Sequence, residues 1–265
     1  MALEPHVQVM YNDHAMPTPI QHLVLAEDIL TDSALSPAAR EWLAAERGAF
    51  LLGTIAPDVQ TVSGQLREAT HFFTFPPTDT RPAHHVMLAQ HPTLARASHL
   101  APARAAFIAG YIQHLTLDEL WIGHVFSPCF GRSVGWGTAH ERVLTHNVLR
   151  TWLDQRDGVR LKCDVSGALS QVEPDGWLPF VADGHLRAWR DEIARQLVPG
   201  MPIQTVEVFA ARLQIPPAEF RRVLESPEEM QRRVFARLRP GCVDQFYAEA
   251  LSVSGRRIQD YLGGG

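Results

Sequence analysis

The chain has 265 residues, 46% of them apolar, with a formal charge of −5 at neutral pH. That is enough apolar material for a sizeable core and excludes an intrinsically disordered protein, while the acidic balance excludes a general nucleic-acid binder. Its three cysteines (Cys129, Cys163 and Cys242) are widely spaced and odd in number, which excludes a disulfide framework and a CxxC zinc site.

The first residues lack a basic start followed by an apolar run, so no secretory signal is read there. No stretch approaches 18 uncharged apolar residues, which removes a transmembrane helix. With Met1 as the natural start and free thiols, the expected location is the cytoplasm.

Helix signals dominate the chain. Residues 18–30 carry Ile20, Leu23, Val24 and Ile29 at helical spacing. Ser36 before Pro37 marks the start of a second helix running towards Gly48. Residues 50–58 are short, apolar and interrupted by Pro57. Residues 73–92 hold four prolines and are expected to be mostly loop. Residues 102–124 form the longest apolar helical pattern, with few polar members, as suits a helix buried on most sides. A Gly- and Pro-containing connection leads to a helix over 138–154. Residues 163–183 read as irregular, and three or four amphipathic helices fill 184–262. No strand alternation, repeat or low-complexity block is present. The expected fold is all-α, with a metal-binding core over 1–183 and a helical extension over 184–265 packed on it.

His114 and Asp118 carry the first chemical signal. Four residues apart on a helix, they differ in direction by only about 40° and stand roughly 6 Å apart along the axis. A buried Asp is costly unless paired or metal-bound, and a His nitrogen with an Asp oxygen on one face suits Zn²⁺. A hydrogen-bonded packing pair is the alternative. Asp58 follows Pro57 at an expected helix start, where an Asp is often a cap. His71 lies before two phenylalanines and His22 beside Leu23 and Val24, contexts that also fit core histidines. His84, His85, His91 and His99 near the Pro-rich stretch read as surface residues, and Trp121, Trp136 and Trp152 as core or pocket wall.

In order, His22, Asp58, His71 and the run HLTLDELWIGH (His114, Asp118, His124) resemble the zinc-dependent phospholipase C family, related to the S1/P1 nucleases. The contexts APD and THFF also look like that family's, and the resemblance covers roughly residues 16–146. It implies a multi-helix bundle with additional C-terminal helices and a cluster of one to three zinc ions. One ion would be held by Asp58, His71, His114 and Asp118; Asp118 would bridge to a second, with His22 among its ligands. A third would use His124 and the following helix. There the sequence departs: the family places a His and a Glu four apart, and only His140, Glu141 and His146 are available. Adjacent His140 and Glu141 point about 100° apart on a helix, and Gly123 is a candidate for turning His124 towards the site. Family members also bind zinc through a processed N-terminal amine, whereas about twenty residues precede His22; Asp13 and His14 are possible substitutes.

The implied activity is hydrolysis of a phosphoester or phosphodiester, in a small molecule or lipid headgroup, with Asp58 as both ligand and proton acceptor. No histidine precedes an aspartate directly, so an HD-type phosphohydrolase is not supported. Glu68 and His71 make a single Glu-x-x-His, too little for a ferritin-like di-iron site. The reading from another class is a non-catalytic member in which metal braces a partner-binding scaffold. Oligomeric state is not legible in the sequence.

Overall fold

The first two helices start where the sequence sets a capping side chain before a proline. The computed structural model describes residues 16–75, 80–161, 164–198 and 205–264, so Asp13, His14 and Cys163 lie outside it. Helix α1 (Pro19–Ile29) begins after Thr18, whose Oγ1 accepts from the Gln21 N–H at 3.3 Å. Helix α2 (Pro37–Ala45) begins after Ser36 in the same way, at 3.2 Å. Both capped starts satisfy N–H groups that a helix cannot satisfy itself.

The chain then runs through α3 (Arg47–Ile55), a 3₁₀ turn (Ala56–Val59) and the short α4 (Gln60–Ser63) and α5 (Glu68–His71). Phe72 ends α5 with φ of 60°. A non-glycine residue in this left-handed region costs of the order of 1 kcal/mol, and its ring is held edge-on against Phe180 and His91. The stretch expected to be mostly loop contains α6 (Ala83–Gln90). Pro82 and Pro92 flank it rather than interrupt it, and eight residues free of proline suffice for two turns.

The central element is α7 (Pro102–Trp121), followed without a break by a π-helical segment (Ile122–Phe126) and the short α8 (Ser127–Phe130). Next come α9 (Ala139–Gly158), α10 (Val165–Ser170) and α11 (Asp183–Gln196). The remainder is α12 (Thr205–Leu213), α13 (Pro217–Leu224), α14 (Pro227–Arg233) and the long α15 (Cys242–Gly263). Every regular element among the described residues is helical, so the fold is all-α. No helix among them is long and apolar enough to cross a membrane.

Two apolar clusters share α7. One joins Leu23, Phe50, Phe107, Ile112, Trp189 and Ile258; the other joins Trp121, Phe126, Leu149, Phe220 and Phe246. Residues beyond 184 contribute to both. Each large apolar side chain fully withdrawn from water contributes roughly 2–3 kcal/mol, so α7, apolar on most faces, is the element around which the others gather. Its closest neighbour is α3. A Cβ built on Gly53 would lie 2.0 Å from the Phe107 carbonyl oxygen, and one on Gly110 would lie 2.2 Å from that of Phe50. Only glycine at both positions lets the two backbones touch, and this contact brings Thr54 against His114.

Candidate metal centre

Five side chains from four separate stretches converge beneath this crossing. α1 supplies His22, the 3₁₀ turn supplies Asp58, α5 ends on His71, and α7 supplies His114 and Asp118. His22, His71, His114 and Asp118 are fully buried, and Asp58 is about one-fifth exposed. Two sets of donor atoms are close enough to share a metal ion: His22, His114 and Asp118, and Asp58, His71 and His114. His114 belongs to both.

Backbone carbonyls fix how the imidazoles point. Nδ1 of His114 lies 2.8 Å from the Thr54 carbonyl oxygen, and Nδ1 of His71 lies 3.2 Å from that of Arg67. A carbonyl oxygen only accepts, so each Nδ1 carries hydrogen and donates. Both Nε2 atoms are thereby turned inward, where they stand 3.3 Å apart. Two facing lone pairs at that distance repel unless a cation, either a proton or a metal ion, lies between them. Oδ2 of Asp118 is 3.6 Å from each Nε2, and Oδ1 of Asp58 is 3.5 Å from that of His71. Ring-stacked on His114 at 3.8 Å, His22 places its Nε2 3.4 Å from Oδ1 of Asp118. Among the described residues neither of those two atoms has a hydrogen-bond partner, nor has the other ring nitrogen of His22. Buried polar atoms are nearly always satisfied, so these unsatisfied donors, converging with two carboxylates and two oriented imidazoles, fit a metal ion.

The electrostatics agree with that donor set. Burial holds the His71 imidazolium down to a pKa of about 4, with the Arg67 guanidinium adding to the effect. Burial also lowers His22, helped by His114. For His114 burial pushes down, but the facing Asp118 carboxylate pulls harder and the net shift is upward. Burial alone would raise Asp118 and Asp58; the surrounding imidazoles, with Arg67 for Asp118, hold both below the usual carboxylate range. Both acids are therefore ionised at neutral pH.

His124 and His140 do not join these side chains. His124 sits within the π-helical segment, Gly123 has no left-handed torsion, and Nε2 of His124 pairs with Glu249 of α15 at 3.0 Å. Exposed His140 stands in the first turn of α9. Glu141 closes a capping box instead, its Oε2 accepting from the Thr138 N–H at 2.6 Å. His146 is buried among Trp121, Phe126 and Phe130 and accepts from the Trp121 indole N–H at 2.9 Å. Among the described residues the implied third site is thus not assembled. His84, expected at the surface, is buried, and burial holds its pKa near 3.

One site residue escaped the sequence reading. The Arg67 guanidinium reaches Oδ2 of Asp118 at 2.6 Å and stacks over the Phe73 ring, with its centre 4.8 Å away. Its signal was spacing: Arg67 is four residues before His71, one helical turn on the same face.

Compared with known proteins, the chain matches no protein-family model, no curated protein and no solved structure.

Proposed function

We propose that this protein is a zinc-dependent hydrolase of phosphoester or phosphodiester bonds, similar in chemistry to the phospholipase C family that its ordered His and Asp residues resemble. The observation that carries the reading is the convergence of the His71 and His114 Nε2 atoms, 3.3 Å apart, with Asp58, Asp118 and His22 around them. Nitrogen and carboxylate donors in this mixture favour zinc. A bound zinc ion supplies Lewis acidity and makes a nearby water more acidic.

The chain's own residues supply the rest. His71 and His114, locked by the Arg67 and Thr54 carbonyls, need no reorientation to act as ligands. Asp58 and Arg67 are the cluster members that reach solvent, so substrate enters past them. Ionised and at that edge, Asp58 accepts a proton from the attacking water. The free, buried thiols of Cys129 and Cys242 fit a reducing, cytoplasmic setting.

A second reading has one observation in its favour. Four of the five donors are fully buried, as in a structural metal site that braces a partner-binding scaffold. Zinc-loaded protein assayed on bis(p-nitrophenyl) phosphate and p-nitrophenyl phosphorylcholine separates the two. Turnover that is lost on chelation and restored by zinc supports the hydrolase. Tightly held zinc with no turnover on either ester supports the scaffold, and no bound zinc overturns both.

A further inference from the structure

We infer that Arg67 is a built-in second cation of the centre: it takes the place of an additional metal ion on Asp118 and binds the phosphoryl group of the substrate. This rests on the metal-centre reading above and concerns how many ions the site takes and which anion it favours.

A carboxylate that bridges two ions gives one oxygen to each. In this protein the two oxygens of Asp118 face different partners. Oδ1 faces His22, whereas Oδ2, 3.6 Å from Nε2 of both His71 and His114, also accepts a hydrogen bond from Arg67 at 2.6 Å, which takes up one of its lone pairs. The guanidinium thus places a positive charge on the Oδ2 side of the carboxylate. The same residue also accepts from His71 Nδ1 through its carbonyl oxygen. Arg67 therefore orients one donor with its backbone and neutralises another with its side chain. Phe73 braces the guanidinium plane, which limits its choice of positions.

Charge balance points the same way. Asp58 and Asp118 carry two negative charges, and Arg67 offsets one of them. One divalent ion then leaves the cluster with a single positive charge, which suits a phosphodiester monoanion. A second divalent ion beside Arg67 would leave three positive charges in a largely buried site, at a steep desolvation cost. A guanidinium has five N–H donors in a planar fork that matches phosphate oxygens, and Asp118 accepts one hydrogen bond from it. Arg67 and Asp58 are the two partly exposed side chains of the cluster, so an entering anion meets the guanidinium without passing the buried imidazoles.

Native mass spectrometry under zinc titration, with phosphate binding followed by calorimetry on the zinc-loaded protein, tests the inference. The wild type is expected to take one zinc ion at the cluster. Arg67→Gln should keep that ion yet bind inorganic phosphate at least about tenfold more weakly, and Arg67→Lys should recover part of the loss. Two or more ions at the wild-type cluster would overturn the inference, as would unchanged phosphate affinity in a zinc-loaded Arg67→Gln. If Arg67→Gln does not fold, wild-type stoichiometry and the Arg67→Lys comparison decide. A wild type that binds no zinc overturns the metal-centre reading and this inference with it; one zinc with phosphate affinity independent of Arg67 overturns this inference alone.

Discussion

The Thr54 carbonyl oxygen lies 2.8 Å from Nδ1 of His114, and this contact decides what the other nitrogen of that imidazole can do. With Nδ1 donating to the backbone, Nε2 is left facing His71 and Asp118. In the metal-free protein the Asp118 carboxylate favours a proton at that position, raising His114 against the downward pull of burial.

Zinc binding should therefore displace that proton. Below the pH at which His114 titrates in the metal-free protein, about one proton should leave per zinc, and affinity should rise roughly tenfold per pH unit. Above it, affinity should level off. His71, held near 4, contributes only in acid. Calorimetry of zinc binding in two buffers of different ionisation enthalpy measures the release directly; a pH-independent affinity across this range would contradict the arrangement.

Asp58→Asn should separate holding the metal from using it. The amide keeps an oxygen donor but no longer accepts a proton, so turnover should fall by about 10²- to 10⁴-fold while the zinc content stays the same. Loss of all metal in this variant would mean that Asp58 is only a ligand. His140→Ala is the matching control, since His140 is exposed on the first turn of α9. Its zinc content and activity should be those of the wild type.

Gly110→Ala tests whether the crossing of α3 and α7 builds the site. The added methyl group would lie 2.2 Å from the Phe50 carbonyl oxygen, so one helix must move. A loss of stability of about 3 kcal/mol is expected, at the upper end of ordinary overpacking. Because Thr54 moves with α3, zinc affinity should fall as well. Urea denaturation and a chelator competition measure the two effects, and a stable variant with normal zinc affinity would show that the contact is dispensable.

Asp154 should give the protein an unusual dependence on pH. Burial raises its pKa to about 7, and it lies between Thr18, Gln21 and Thr205, tying α1 to α9 and α12. A folded-state pKa above the unfolded value means that the folded protein holds a proton which the unfolded chain releases near pH 4. The associated stability is present below about pH 4 and is lost as pH rises through about 7. Asp154→Asn stays neutral, so it should be the more stable protein at pH 8, by on the order of 2–4 kcal/mol. The advantage should vanish by pH 4 in thermal or urea melts.

The sequence by itself determined the helices and the inventory of donors. Thr18, Ser36 and Thr138 announce helix starts through local hydrogen bonds that any context would permit. The four-residue spacing of His114 and Asp118 places both on one face of α7 whatever packs there. The stretch holding α6 misled because prolines that flank a helix look the same in one dimension as prolines that break one. Tertiary structure alone decided which donors meet. Gly53 and Gly110, 57 positions apart, show no pattern until their backbones touch. Nothing in the chain order distinguishes His124, drawn to Glu249 more than a hundred residues away, from His71, turned inward by a carbonyl within its own helical turn. Helical periodicity fixes directions within one element, whereas a metal centre depends on distances between elements, and those are set by how closely their backbones can pack.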